Sequence, residues 1–211
     1  MSGAPKNAKG NPLKDVAILI LAAGASSRMR GSDKLLEKVD TKPILHQIAA
    51  MAVATGCPVF VALPVASPNR LGAVSGLAVT QLEVEDADLG LSASIRAGIG
   101  VLPKPTKGVM LMLADMPDLT RTDLLYLLDA FTHNPDQVIR ASDITETPGH
   151  PIIFPARLFP DLMRLTGQHG ARAILSAETV RHIPLPDQHA TNDLDTPEQW
   201  LAWRKANPFR N

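Results

Sequence analysis

The sequence predicts an α/β fold: a single three-layer domain built around a mostly parallel central sheet. Three observations carry the prediction. The chain has 211 residues, close to the roughly 100–200 residues of one domain. Two runs, Val16–Leu21 and Val109–Leu113, are apolar without interruption and strand-sized, as expected of strands covered on both faces. Around them, β-favouring segments alternate with segments of helical spacing, which implies parallel pairing through right-handed crossovers.

The elements follow in order. Residues 1–14 hold Gly, Pro, Asn and Lys without apolar periodicity and read as a mobile tail. Val16–Leu21 is the first strand, and Ala23–Lys34 is a loop rich in Gly, Ser and charge. Ile44–Thr55 places Ile44, Leu45, Ile48, Met51 and Ala52 at helical spacing, with Pro43 at its start and Gly56 as its stop. Pro58–Leu63 and the weaker Val79–Val84 are strands, and Ser92–Val101 is a helix ended by Pro103. After the strand Val109–Leu113 comes a helix over Thr120–Phe131, with Thr120 at the N-cap and Asp123 three residues on. Gln137–Ala141 and Pro151–Phe154 are further strands, followed by short helices near Ala156–Leu165 and Ala171–Ala177. The last helix begins at Pro197, capped by Thr196, and runs through Trp200 to Trp203. The domain therefore spans 15–205, and 206–211 is a C-terminal tail.

Composition narrows the function. Hydrophobic residues are 45% and charged residues 20% of the chain, and 21 basic side chains balance 21 acidic ones. Such balance disfavours a nucleic-acid or membrane-surface binder. Aromatics are only 4%, too few for base-stacking platforms. No apolar run approaches the roughly 20 residues of a membrane helix. The single cysteine, Cys57, excludes an internal disulfide and a multi-cysteine zinc site. It is compatible with a reducing cytoplasm, the expected location.

In parallel sheets, ligands bind beyond the carboxyl ends of the strands. The rule points to the loop after Leu21, the segment after Leu113 and the loop around Gly90. The first loop suits a polyphosphate. Ala22, Ala23 and Gly24 let backbone N–H groups approach an anion, Ser26 and Ser27 add hydroxyls, and Arg28 and Lys34 add charge. It is neither a Walker loop nor a G-x-G-x-x-G fingerprint; composition alone also allows a flexible basic surface loop. Asp115 ends an apolar strand, where a carboxylate suits Mg2+ as well as a turn. Ser92 and Ser94 open a helix, either capping it or facing a ligand. His150, in Gly149-His150-Pro151, is open to a substrate or a structural role, whereas His46, His133, His182 and His189 are assigned to surface or helix faces.

The order Leu21-Ala22-Ala23-Gly24-x-Ser26-x-Arg28-Met29, followed by Lys34, resembles the signature of a nucleotidyltransferase family with a Rossmann-like, glycosyltransferase-A-like fold. Arg30 precedes Gly31, so Arg28 and Lys34 stand one residue further apart than in the common pattern, and Gly31 is expected to absorb the difference. Leu113-Ala114-Asp115-x-Pro117 resembles the family's metal-binding segment. Asp193-Leu194-Asp195-Thr196-Pro197-Glu198 resembles its second one, with Asp195 the better metal ligand and Asp193 the weaker. Gly90-Leu91-Ser92-Ala93-Ser94-Ile95-Arg96 is similar to the branch that cytidylylates molybdenum cofactor. Gly149-His150-Pro151 and Gly170-Ala171-Arg172 resemble its acceptor-side motifs, although Gln168 replaces the usual Asp there.

The resemblance, to the molybdenum cofactor cytidylyltransferase family, implies a Mg2+-dependent transfer of CMP from CTP to the phosphate of a molybdopterin acceptor, releasing pyrophosphate. Arg28 and Lys34 would stabilise phosphate charge. Leu21 to Gly24, Ser26, Ser27, Ser92 and Ser94 would bind nucleotide, Asp115 and Asp195 would hold the metal, and His150 and Arg172 would bind the acceptor. A transient contact with a molybdoenzyme or its chaperone is implied, with no nucleic acid and no membrane. The competing expectations are guanylyl transfer from GTP, transfer to a sugar phosphate or other acceptor, and a non-catalytic chaperone for the finished cofactor.

Overall fold

A computed structural model of the chain describes residues 12–167 and 170–210. Most of the expected N-terminal tail, and Gln168, lie outside the described residues. β1 (Val16–Leu21) is buried along its whole length at the middle of the sheet. A small antiparallel hairpin, β2 (Lys38–Val39) and β3 (Lys42–Pro43), leads into α1 (Ile44–Val53). β4 (Val59–Pro64), α2 (Pro68–Ala73), β5 (Thr80–Val84), α3 (Leu91–Gly100) and β6 (Gly108–Leu113) complete the first half. α4 (Arg121–His133), β7 (Val138–Ser142), β8 (Pro148–Pro155), α5 (Phe159–Leu162), α6 (Arg172–Ala177), β9 (Val180–Pro184) and α7 (Pro197–Ala206) follow.

The seven-stranded sheet has the order β5-β4-β1-β6-β8-β7-β9. All pairings are parallel except those of β8, which runs antiparallel to both β6 and β7. The sheet is mostly parallel, as expected; β8 departs because β7 and β8 are joined by too short a connection for a crossover. Asp143 organises that connection: its carboxylate accepts hydrogen bonds from the Thr145 and Thr147 N–H groups and from the Thr145 hydroxyl. β9 and α2 also escaped the sequence reading. β9 carries the consecutive polar residues Arg181 and His182 at the sheet edge, and α2 is six residues long with a glycine in it.

Alternate side chains of the strands feed two cores. Ile18, Ile20, Val61, Met110 and Ile153 pack with Ile44, Leu127, Trp200 and Trp203 of α1, α4 and α7. Leu19, Phe60, Leu111, Ile152 and Phe154 pack with Ile95 and Ile99 of α3 and Leu162 of α5. This is the expected three-layer domain. Among the described residues no helix is long and apolar enough to cross a membrane.

Next to the expected domain start at residue 15, Pro12–Asp15 forms a 3-10 turn, and Leu13 packs against the core. At the other end α7 runs to Ala206 and Pro208–Arg210 forms another turn. Arg210 is ion-paired to Asp40 and lies 5.3 Å over the Trp203 ring, which fastens a segment that composition alone marks as loose.

Candidate active site

The carboxyl ends of β1 and β6 are adjacent in the sheet, with Leu21 opposite Leu113. The loop after β1 and the acids after β6 therefore meet at one edge. The loop is shaped by backbone as much as by side chains. Ser26 and Arg30 both adopt left-handed φ, 52° and 53°, and Gly31 follows at 99°. Arg30 and Gly31 turn the chain, and Lys34 reaches the sheet edge from the short 3-10 turn Lys34–Leu36. Gly24 has open space around its Cα, whereas Ala22 and Ala23 are buried.

Arg70, from the undetected α2, braces this loop and was absent from the sequence-derived site. It is 5% exposed. Its guanidinium donates to Ala22 O at 2.7 Å, to Asp33 at 2.6 and 2.9 Å and to Ser26 Oγ at 3.1 Å. Asp33 also accepts from the Leu35 N–H, capping the turn that carries Lys34. Burial opposes the charge on Asp33, but Arg70 and the Leu35 N–H outweigh it and hold its pKa low. The only prior signal was an Arg two residues after a helix-starting proline. Arg70→Met leaves Asp33 without its counter-ion; breaking such a pair costs about 3 kcal/mol. Urea denaturation should show that loss, and a wild-type midpoint would mean that the brace contributes little.

Lys34 Nζ donates to Asp115 Oδ2 and, at 2.5 Å, to Asp195 Oδ1. Burial alone would lower the lysine pKa, but Asp115 and then Asp195 overcome it and raise it. Arg28, largely exposed, pairs with the other oxygen of Asp195 at 2.7 Å. Arg30 pairs with Glu198 at 2.6 Å, tying the same loop to the start of α7. The acids themselves are joined through backbone: the Leu194 N–H donates to Asp115 O at 3.0 Å. Asp195 also precedes a full capping box, Thr196 with Gln199, so it both leads into the helix and faces the site.

Asp115, Asp193 and Asp195 each offer one oxygen, all within 4.8 Å of one another. Asp193, ranked weaker from sequence, is thus a full member of the group. Burial, then the charges of Asp115 and Asp195, push its pKa up. Asp115 Oδ1 is buried without a hydrogen-bond partner. An all-oxygen, carboxylate-rich set with an orphaned oxygen fits a hard divalent cation. Such an ion neutralises phosphate charge when bound.

Ser92 and Ser94 are buried at the start of α3. Ser92 does not cap the helix: Gly90 occupies the N-cap, and Ser92 Oγ is buried without a partner. Ser27 is exposed, whereas the Ser26 hydroxyl is engaged with Asp33 and Arg70. His150 and Arg172 do come together, in a cleft of ~730 Å³ beside Leu21. Of the histidines assigned to surfaces, His189 is not free: its Nδ1 lies 2.9 Å from Asp123, and its side chain is 20% exposed. Asp123 at the start of α4 supplies a partner that sequence spacing could not show.

The mostly parallel sheet, the cationic loop and the acid trio define a nucleotidyltransferase. Residues 18–183 match the MobA-like NTP transferase domain family, and the chain belongs to that family. A curated relative from Synechococcus elongatus, described as a probable molybdenum cofactor guanylyltransferase, is 27% identical over 191 residues, covering 88% of this chain and 96% of its own. The crystal structure of a homologue of Mycobacterium tuberculosis Rv0371c from Mycobacterium sp. strain JC1 superposes with a TM-score of 0.78 at 25% identity, covering 92% of this chain and 96% of the other. Rv0371c from M. tuberculosis in complex with manganese has a TM-score of 0.72 at 22% identity, covering 90% and 98%.

Proposed function

We propose that the protein transfers a nucleoside monophosphate, CMP from CTP, to the phosphate of a molybdopterin-type acceptor in the cytoplasm, releasing pyrophosphate. The observation that carries the proposal is the meeting of Lys34 and Arg28 with Asp115 and Asp195 at the end of the first strand. A chaperone that only holds a cofactor has no need of this arrangement. Asp115 and Asp195, joined by Asp193, would hold Mg2+; the three carboxylates lie within 4.8 Å of one another, and a neighbour of the same fold is described as a manganese complex.

The chain's own residues supply alignment and charge. Backbone N–H groups around Ala23, Gly24 and Ser27 face the phosphates, and Arg28 and Lys34 leave the aspartates for the triphosphate, stabilising charge that builds on the departing pyrophosphate. Ser92 Oγ, buried and unpartnered, is a hydrogen-bonding group for the nucleotide at the start of α3. His150 and Arg172 receive the acceptor.

Two readings of the base are supported by different observations. The start Leu21-Ala22-Ala23-Gly24 resembles the cytidylyl branch of the family, which favours CTP. The S. elongatus relative is described as a guanylyltransferase, which favours GTP. Pyrophosphate release with reduced molybdopterin as acceptor separates them. CTP should give at least about tenfold higher kcat/KM, equivalent to ~1.4 kcal/mol of discrimination. Faster turnover with GTP assigns guanylyl transfer, and no turnover with either, despite tight cofactor binding, assigns a chaperone.

A further inference from the structure

The cleft beside His150 holds a charge imbalance that core packing does not explain. Leu19, Leu111, Ile152, Arg140 and His182 are successive partners across the sheet, so they share one face. The first three belong to the apolar core. Arg140 therefore takes a cationic side chain into a row that is otherwise apolar until the edge strand. A position that breaks the local pattern in this way marks function more often than architecture.

Arg140 has no counter-ion among the described residues. Its guanidinium donates to Gly149 O at 3.0 Å and Pro148 O at 3.4 Å, which orient it without neutralising it. Arg172 lines the same cleft, and its side chain makes no ion pair or hydrogen bond among the described residues. The two are close enough that, after burial, Arg172 is what pulls the Arg140 pKa down. The one described acid lining the cleft, Glu178, is already taken in a two-pronged pair with Arg157 at 2.9 and 2.5 Å.

His150 adds a second demand. Its ring interacts with the Leu111 backbone, while Nδ1 is buried without a partner. Burial, with Arg140 adding to it, lowers its pKa to about 4. The ring is neutral at pH 7, and Nδ1 is a lone pair turned away from water. Two unpaired guanidinium groups, one half-buried and one exposed at the cleft, attract an anion, and a buried lone pair calls for a donor.

We infer that Arg140 and Arg172 form a paired seat for an anionic group of the acceptor substrate, and that His150 Nδ1 accepts a hydrogen bond from an N–H or O–H beside that group. The ligand class is a small organic phosphate with a ring N–H or hydroxyl close to its anion. Calling this ligand the acceptor rests on the proposed nucleotidyl transfer; the seat itself does not. Arg140 is the residue that no sequence motif pointed to.

Inorganic phosphate, titrated into the full chain with 15N-labelled arginine and histidine, tests the seat without turnover. The Arg140 and Arg172 Nε resonances should shift together with one affinity. Arg172→Met should weaken the Arg140 response by about tenfold or more, the loss expected of one charged hydrogen-bonding partner. Unmoved resonances, or an Arg140 response indifferent to Arg172→Met, overturn the inference. In steady state with molybdopterin, Arg140→Met should raise the acceptor KM about tenfold and leave the nucleotide KM unchanged, with Arg140→Lys partly restoring it. Met suits the apolar row, so folding should survive. If phosphate binds the pair but no nucleotide is transferred, the functional reading fails and the seat stands. If transfer proceeds and Arg140→Met leaves the acceptor KM at wild type, the seat fails alone.

Discussion

Asp115→Asn should lower turnover by about three orders of magnitude while leaving thermal stability unchanged or raised. The loss is of the size seen when a preorganised charge-stabilising group is removed. The amide keeps the shape but removes one of three negative charges crowded within 4.8 Å. Asp115 Oδ1 has no hydrogen-bond partner to lose, Lys34 retains Asp195, and Asp193, whose pKa its neighbours raise, is relieved of one of them. Function is thus built at the expense of local electrostatic comfort, the usual conflict between activity and stability. Pyrophosphate release, manganese binding by electron paramagnetic resonance and a melting curve on the same preparation check the claim. Wild-type turnover would remove Asp115 from the site, and collapse of the melting temperature would make it structural.

Gly149→Ala should have the larger effect on folding. A methyl at this position would sit 1.8 Å from Ala190 O and 3.1 Å from Thr191 Cγ2. The first contact is with backbone, which cannot rotate away. The His150 N–H also donates to Ala190 O at 2.8 Å, so the two segments are pressed together by design. Forced overpacking of this kind costs about 3 kcal/mol, or roughly 6–12 °C in a chain of this size. The displaced segment runs directly into Asn192-Asp193-Leu194-Asp195, so manganese affinity should fall in parallel although Gly149 touches none of the acids. Calorimetry showing a wild-type melting temperature would contradict the clash.

What the sequence discloses divides along physical lines. The strands with uninterrupted apolar runs were legible, β1 to the residue and β6 to within one, because burial on both faces leaves no room for polar side chains. The start of α4 was legible too, because its Thr120–Asp123 capping box is a local signal, while its end runs two residues past Phe131. Asp115, Asp195, Arg28 and Lys34 were legible through motif order, and the structure brings all four together. β8 was found as an apolar segment but not as the one antiparallel strand, since direction depends on the connection and not on composition. Arg70 and Arg140 were invisible for a related reason. Each is a lone arginine in an ordinary-looking stretch, and only the fold reveals that one is buried against Asp33 and the other has no carboxylate partner among the described residues. Asp193 was underrated because its neighbours in space, not in sequence, set its role.

Lys34 spans two of the three acids and carries its own positive charge into their midst. A bare divalent ion arriving from solution has to evict a tethered rival that dilution never removes. A triphosphate changes that contest, because it offers the lysine a different anion to follow. If the proposed transfer holds, loading should therefore favour ion and nucleotide entering as one package over metal alone in the resting protein.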